Sequence, residues 1–256
     1  MAQAQAIPER HPALGIVGSL FRALDRIAAP PLCLICGQEY ASAPDGTAGV
    51  CDACEAALPQ FPANRRCHLC GGLNDTALEV CHECATTPRP WQCGVTVFPY
   101  QGAAGDLVRD YKYHRTTAYA PYFARAIAHQ WRTAEPLVHP DCIVPIPLHW
   151  LRRLQRGFNQ AELVAKFLAK DLGIPCITPL RRNRQTGHQA RLDAEGRLRN
   201  LRRAFCVPPR LAPQIADRTI LLIDDVFTTG ATLSAAAEVL LASGAREIAV
   251  ATIARA

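Results

Sequence analysis

Two adjacent aspartates, Asp224 and Asp225, follow an apolar run that starts at Ile220 and precede a hydroxyl-rich segment, residues 228–232. An uninterrupted apolar run bounded by turn residues is typical of a parallel strand that is buried on both faces. In open parallel sheets, ligands bind outside the carboxyl ends of the strands, and a loop that enters a helix presents several backbone N–H groups to an anion. The sequence therefore predicts a bound phosphate group on residues 228–232.

Adjacent carboxylates such as Asp224 and Asp225 repel each other and would also repel a phosphate. They need hydroxyl donors or a hydrated divalent cation between them and the ligand. A ribose diol together with Mg²⁺ meets both demands, so we predict a sugar phosphate bound with Mg²⁺. The alternative, from the residues alone, is a solvated acid pair at a strand end followed by an ordinary turn and helix cap.

The elements that must position these residues alternate between strands and helices. Leu233–Ser243 has helical spacing and stops before Gly244, and Glu247–Ile253 reads as another strand. Upstream, the sequence predicts a further apolar strand over Asp141–Pro147 and a helix over Phe158–Lys170. This order indicates an α/β fold with a parallel sheet and flanking helices.

Eight of the twelve cysteines form four Cys-x-x-Cys pairs within residues 33–84. Two residues between thiolates let both sulfurs of a tight turn face one tetrahedral ion, so the spacing indicates metal. The two halves repeat, which favours tandem pairing; a cross-braced pairing stays open. The predicted zinc ligands are Cys33, Cys36, Cys51 and Cys54 in the first site, and Cys67, Cys70, Cys81 and Cys84 in the second.

The cysteine-rich module is predicted to be structural, because four protein ligands leave no open position on the metal for chemistry. A redox dithiol or a set of disulfides is the alternative. Residues 33–90 contain seven acidic and three basic residues, a formal charge of −4, and zinc bound by four thiolates is itself negative. Direct contact between this module and a nucleic-acid backbone is therefore disfavoured.

The composition is that of a folded protein: of 256 residues, 49% are apolar and 20% are charged, which excludes wholesale disorder. The apolar stretch near the N-terminus is too short to span a membrane and lacks a cleavage pattern, so we predict a cytoplasmic protein without a membrane span. Three parts are expected: an amphipathic helix and tail over residues 1–29, a double zinc ribbon over 30–90 and an α/β domain over 91–256.

The segment Ile220–Thr232 resembles the signature of type I phosphoribosyltransferases, in which a Thr- and Gly-rich loop holds the 5′-phosphate of phosphoribosyl diphosphate (PRPP). The four cysteine pairs ahead of such a domain extend the resemblance to the ComF family of late-competence proteins. Further motifs that carry it are Tyr111-Lys112-Tyr113-His114, Val144-Pro145-Ile146-Pro147, Arg156-Gly157-Phe158-Asn159-Gln160 and a Gln-Thr-x-x-Gln segment. The resemblance spans about residues 30–254 and implies a type I phosphoribosyltransferase-like domain after a tandem zinc-ribbon module with four cysteines per site.

The resemblance also implies roles for individual residues. Asp224 and Asp225 would be the catalytic acids. The 5′-phosphate would be bound by Val226, Thr228, Thr229, Gly230, Ala231 and Thr232. The loop over residues 148–157 would cradle the diphosphate through Arg152, Arg153 and Arg156, unless these arginines face water. Lys112 either reaches the same pocket or is a surface lysine.

Eight arginines and two acids lie between Arg181 and Arg203, so this segment carries strong positive charge. By resemblance it would be a flexible loop over the ligand, with Thr186, Gln189, Arg197 and Asn200 as its loop residues. The same arginines could bind the phosphates of single-stranded DNA. A solvated charged loop is the remaining alternative.

Three functions fit these features. The first is a ComF-family competence protein that binds Mg²⁺ and PRPP and assists uptake of single-stranded DNA in natural transformation. The second is an active phosphoribosyltransferase, of the glycosyltransferase class, that transfers ribose 5-phosphate to an unidentified base or other acceptor. The third is a PRPP- or nucleotide-sensing module without turnover. The chain contains no Gly-x-x-x-x-Gly-Lys-Ser/Thr loop, so a DNA-translocating ATPase would have to be a partner.

Overall fold

The computed structural model describes residues 32–40, 49–114, 116–136, 138–148, 150–182 and 204–256. The predicted N-terminal helix and tail, residues 1–29, lie outside this part of the chain. The division into a module over residues 30–90 and a domain over 91–256 stays a prediction.

The strands occur in two sheets. In chain order they are β1 (Cys93–Pro99), β2 (Cys142–Pro145), β3 (Arg181–Arg182), β4 (Phe205–Cys206), β5 (Thr219–Phe227) and β6 (Glu247–Arg255). Within the described residues, a four-stranded sheet has the order β1-β6-β5-β2, and all its pairs are parallel. The predicted central parallel strand is confirmed, because β5 lies between β2 and β6. An antiparallel pair of β3 and β4 joins the two ends of the arginine-rich segment.

The helices surround this sheet. They are α1 (Asp52–Ala57), α2 (His82–Thr86), α3 (Gly102–Tyr113), α4 (Tyr119–Thr133), α5 (Trp150–Arg156), α6 (Gln160–Leu172) and α7 (Ala231–Ala242), with 3-10 turns at Ala63–Arg65 and Pro209–Gln214. The prediction of a loop over residues 148–157 was wrong, because α5 occupies most of it. The segment holds good helix formers until Gly157, which has a φ of 80° and ends the helix.

The core consists of two layers separated by the sheet. Along β5, Leu221 and Ile223 pack on the side of α4 and α6, whereas Ile220 and Leu222 pack on the side of α7. This alternation is the period of two expected of a strand that is covered on both faces. The predicted α/β arrangement of a parallel sheet with flanking helices is therefore confirmed.

The second half of the cysteine-rich region covers the free edge of β1. The N–H of Gly94 donates to the carbonyl of His68 at 2.8 Å, and the Thr96 hydroxyl donates to the carbonyl of Cys70 at 2.7 Å. A Cβ on Gly71 would lie 2.2 Å from the backbone nitrogen of Thr96, so the two backbones are in direct contact. The cysteine turn thus protects an edge that would otherwise be open to pairing with another chain.

Candidate functional site

The acid pair lies where the carboxyl ends of the parallel strands meet. Asp224 and Asp225 belong to the last part of β5, and Asp224 pairs in register with Thr252 of β6. Both aspartates are partly buried. The strand continues through Phe227, so the segment over residues 228–230 turns directly from the sheet into α7.

Asp225 is neutralised by cations from two other elements. The ammonium of Lys112, at the end of α3, lies 3.0 Å from Oδ1, and a guanidinium nitrogen of Arg156, at the end of α5, lies 3.9 Å from Oδ2. Lys112 is only 13% exposed, so the structure rejects its interpretation as a surface lysine. Such a sheltered ion pair is screened less by water than an exposed pair would be.

Gln160 holds these two cations beside Asp225. Its carbonyl accepts a hydrogen bond from the hydroxyl of Tyr111 at 2.9 Å, and its side-chain amide donates to the carbonyl of Lys112 at 3.4 Å. The side-chain oxygen of Gln160 accepts from Arg156 at 3.3 Å. The buried start of α6 therefore fixes the ends of α3 and α5 around the acid pair.

Within the described residues Asp224 forms no ion pair of this kind, although the charges of Lys112 and Arg182 lower its pKa. Among the described residues, its side chain accepts one hydrogen bond, from the N–H of Asp225 at 2.9 Å. Burial, followed by repulsion from Asp225, raises the pKa of Asp224 to about 7. This carboxylate is therefore the member of the pair that still requires a cation or hydroxyl donors from outside the described chain.

This pKa predicts a pH dependence of ligand binding. An acid that titrates at about 7 is mostly ionised at about pH 8 and mostly protonated at about pH 6, so a ligand that requires the carboxylate should bind about tenfold more weakly at the lower pH. Calorimetric titration of PRPP with Mg²⁺ at both pH values measures the difference. The phosphates of the ligand also titrate in this range. Asp224→Asn is the control that isolates their contribution, and an equal pH effect in both proteins would contradict the prediction.

The segment after β5 has the geometry of an anion-binding loop. Gly230 has a φ of 73°, and its carbonyl accepts the first hydrogen bond of α7, from the N–H of Ser234 at 2.8 Å. A Cβ at this position would lie 2.7 Å from a guanidinium nitrogen of Arg89 and 2.7 Å from the ring of Phe227, so only glycine fits. The loop delivers its backbone N–H groups to the positive end of a twelve-residue helix.

A small cleft lies between this loop and Asp224. It has about 170 Å³ of empty space and is lined by Asp224, Val226, Phe227, Thr228, Gly230, Thr232 and Leu233. The cleft brings together Asp224 and four of the predicted phosphate-binding residues; Thr229 and Ala231 belong to the loop but do not line it.

The other predicted site residues have different outcomes. Arg156 lies beside the acid pair, as described above. Arg152 and Arg153 lie on α5, and their side chains are outside the described part of the structure, as are the predicted loop residues Thr186, Gln189, Arg197 and Asn200. The roles assigned to all of these residues stay predictions.

A larger cavity, with about 950 Å³ of empty space partly open to solvent, lies between the first cysteine cluster and α4. Its charged lining combines Asp52 and Glu55 with Arg125. Among its described lining residues there is no adjacent acid pair, and the helix that begins beside it, α1, is only six residues long. The features expected of a phosphate site are therefore found at the smaller cleft.

The eight paired cysteines form two tandem clusters. Cys33, Cys36, Cys51 and Cys54 make up the first, and Cys67, Cys70, Cys81 and Cys84 the second; within each, the ligand sulfurs lie within 4.8 Å of one another. The predicted tandem grouping is confirmed over the cross-braced one.

The sulfur geometry fits zinc. Tetrahedral zinc with bonds of about 2.3 Å separates its sulfurs by about 3.8 Å. The observed distances are 3.9 Å between Cys36 and Cys51 and 3.8 Å between Cys70 and Cys81. Backbone N–H groups also donate to sulfur, at 3.3 Å from Cys51 to Cys33 and from Cys81 to Cys67, which stabilises thiolates.

The two clusters differ in their surroundings. All four cysteines of the second cluster are buried, whereas Cys36 of the first is exposed. The first cluster packs toward α4, where the hydroxyl of Tyr119 donates to the carbonyl of Leu34 at 2.9 Å. The second cluster contacts β1 and packs in the core layer on the α7 side of the sheet.

The comparisons with known proteins agree with this architecture. A family model described as "Phosphoribosyl transferase domain" matches residues 159–256. DNA utilization protein YhgH of Escherichia coli K12 is 33% identical over 229 residues, which cover 88% of this chain and 96% of the relative. Competence protein F of Haemophilus influenzae is 31% identical over 81% of this chain and 91% of its own length. Competence protein ComFC of Bacillus subtilis is 26% identical over 83% and 90%.

The parallel sheet, the acid pair and the loop into α7 define a protein with a type I phosphoribosyltransferase fold, preceded by two tandem four-cysteine clusters of the zinc-ribbon kind. The extended likeness to the relatives identifies it further: the chain belongs to the ComF family. In the part of the chain that the structure describes, no helix combines the length and apolar character that crossing a membrane requires.

Proposed function

We propose that the chain binds PRPP, or a closely related sugar phosphate, together with Mg²⁺ at the carboxyl end of β5. The observation that carries this proposal is the shared cleft of Asp224 and the loop over residues 228–232. One side of the cleft is the helix-entry loop, which suits a phosphate, and the other is the carboxylate of Asp224, whose pKa is raised by burial and by repulsion from Asp225. A diol-bearing sugar phosphate joins these two chemistries in one molecule.

The residues have separate roles in this proposal. The N–H groups over residues 228–232 bind the 5′-phosphate. Asp224 and Asp225 accept hydrogen bonds from the diol and hold hydrated Mg²⁺, which supplies the charge neutralisation between acids and phosphates. Arg156, with Arg152 and Arg153, binds the diphosphate side. The two cysteine clusters hold zinc as closed structural sites, since all four positions on each ion are filled by sulfur.

We further propose that the protein works in the cytoplasm and assists the use or uptake of single-stranded DNA in natural transformation. The names of its relatives, a DNA utilization protein and two competence proteins, support this role. The arginine-rich segment over residues 181–203 is the proposed contact to DNA phosphates. A DNA-translocating ATPase of the competence machinery is the proposed partner.

An active phosphoribosyltransferase is the second candidate. The pKa of about 7 at Asp224 favours it, because acid–base groups work best when they titrate near the operating pH. A PRPP sensor would use the same site without turnover. Release of diphosphate from PRPP in the presence of a panel of nucleobases separates the transferase from both non-turnover functions.

Calorimetric titrations with PRPP and with single-stranded DNA, run separately on the full chain, test the main proposal. PRPP should bind at one site only when Mg²⁺ is present. DNA binding should weaken steeply with salt and be lost when Arg197, Arg199, Arg202 and Arg203 are neutralised. Absence of any PRPP binding would reject the ligand, whereas PRPP binding without DNA binding would reject only the DNA contact.

A further inference from the structure

Glu83 connects the second cysteine cluster to the end of β5. It lies between Cys81 and Cys84 on α2, and its two carboxylate oxygens accept hydrogen bonds from two arginines. Arg89 donates to Oε1 at 2.9 Å, and Arg255, the last residue of β6, donates to Oε2 at 2.6 Å. Arg255 also lies 3.9 Å from the sulfur of Cys81.

Arg89 reaches from this carboxylate to the phosphate-binding loop. Its side chain is 1% exposed, and its guanidinium packs beside the rings of Trp91 and Phe227, at 5.6 Å and 5.4 Å from their centres. Its other terminal nitrogen donates to the carbonyl of Thr229 at 2.9 Å. In a trans peptide the carbonyl and the following N–H point in opposite directions. Arg89 therefore holds the N–H of Gly230 pointing away from itself.

The buried guanidinium of Arg89 depends on Glu83 for charge compensation. Its Nε is buried and has no hydrogen-bond partner among the described residues. Arg255 is likewise sheltered, at 12% exposure, and its guanidinium lies 4.7 Å from the centre of the Phe227 ring. Glu83 itself is 39% exposed, but the guanidinium of Arg89 is not, so loss of this carboxylate would leave a buried positive charge without its acid. Both arginines that bind Glu83, and the Phe227 ring that both contact, would then be free to shift.

The two halves of the cysteine-rich region differ at the positions that make this connection. Ala53 stands in the first half where Glu83 stands in the second, and Gln38 stands where Gly72 does. A Cβ on Gly72 would lie 2.3 Å from the Arg255 side chain, so glycine leaves the space that this arginine occupies. The connection is thus a property of the second cluster alone.

We propose that Arg89 is a positioning residue for the phosphate-binding loop, and that the second four-cysteine cluster, acting through Glu83, sets the position of Arg89. Metal binding at this cluster and PRPP binding at the loop are then coupled, while the first cluster is independent of the ligand. This inference rests on the proposed binding of PRPP at the loop.

Coupling between two binding sites is reciprocal. If zinc in the second cluster raises the affinity of the loop for PRPP by some factor, PRPP raises the affinity of that cluster for zinc by the same factor. Zinc in this cluster also supports folding, so any ligand of the folded protein raises its zinc affinity to some extent. Coupling through Glu83 and Arg89 is distinguished from this general effect because it is lost when either residue is substituted in a protein that still folds.

The test is a zinc competition titration of the full-length protein with a chromogenic chelator, with and without saturating PRPP and Mg²⁺. We expect PRPP to raise the zinc affinity of one of the two sites about fivefold or more and to leave the other unchanged. Cys36→Ser, which removes a ligand of the exposed first cluster, assigns the responsive site to the second. Glu83→Gln and Arg89→Gln should weaken PRPP binding and abolish its effect on zinc.

Arg246→Gln is the matched control. Arg246 also pairs with an acid, Asp141 at 3.1 Å, but it lies at the amino end of β5 beside Thr219. The Arg246→Gln variant should therefore retain the effect of PRPP on zinc affinity. If wild-type protein binds PRPP and its zinc affinities do not change, the coupling is wrong while the proposed function stands. If wild-type protein does not bind PRPP, both are wrong. An effect that persists in Glu83→Gln would reject the assigned connection.

Discussion

Replacing Asp224 and Asp225 together by asparagine should reduce the Mg²⁺-dependent affinity for PRPP about 100-fold or more. Each hydrogen bond to a charged group contributes about 1.5–3 kcal/mol, and about 1.4 kcal/mol corresponds to a factor of ten in affinity. Two carboxylates that bind the diol and the hydrated cation account for a loss of this size. Titration calorimetry measures it. Asp106→Asn, at an exposed aspartate of α3, is the control and should leave the affinity unchanged.

The single variants should have opposite effects on stability at about pH 8. Folding raises the pKa of Asp224 from 3.8 to about 7, so between these two pH values the folded protein binds more protons than the unfolded chain. Its stability therefore falls as the pH rises from 3.8 to about 7, and the full cost is present at about pH 8. Asp224→Asn removes this cost, at most about 4 kcal/mol, and should raise the melting temperature. Asp225→Asn leaves Lys112 and Arg156 without their acid and should lower it. Two equal shifts would contradict the described electrostatics.

Loss of the second zinc site should unfold the protein. Structural zinc contributes about 10–16 kcal/mol to the folding of small zinc domains, whereas a whole domain is stable by about 5–15 kcal/mol. The double substitution Cys67→Ser and Cys70→Ser should therefore abolish the cooperative thermal transition or lead to aggregation. The wild-type chain should contain two zinc ions by elemental analysis. The more exposed first cluster should yield its zinc to a chelator sooner than the buried second cluster.

The control for this prediction is Cys176→Ala. Cys176 is partly buried and belongs to neither cluster. Its substitution should lower the melting temperature by a few degrees and leave the zinc content at two. Wild-type protein without zinc, or a stable folded Cys67→Ser, Cys70→Ser variant, would contradict the structural role of the metal.

Local patterns predicted much of the site. The apolar run before Asp224 and the small residues around Gly230 identify a strand, a turn and a helix start within a single stretch of chain, so their arrangement follows from sequence neighbours alone. The tandem cysteine clusters were also predictable, because the ligand spacing and the repeat both lie in one short segment. The loop expected over residues 148–157 was wrong because that expectation followed the family resemblance, whereas the good helix formers of the segment form α5.

Long-range contacts were not predictable in this way. Arg89 and Thr229 are 140 positions apart. Glu83 occupies a variable position of a Cys-x-x-Cys pair, so the motif does not specify it, and Arg89 lies outside the motifs identified above. Lys112 approaches Asp225 only because α3 ends at the carboxyl edge of the sheet, which a helix pattern does not reveal. A single sequence shows which residues have suitable chemistry, whereas their mutual positions depend on the packing of the whole sheet.

The most direct test of the account is the diffraction map of a crystal soaked with PRPP and Mg²⁺. The account predicts density for the 5′-phosphate over the backbone N–H groups of residues 228–232, with the ribose diol facing Asp224 and Asp225. A cleft that stays empty at saturating PRPP and Mg²⁺, or PRPP bound elsewhere on the protein, would contradict the account.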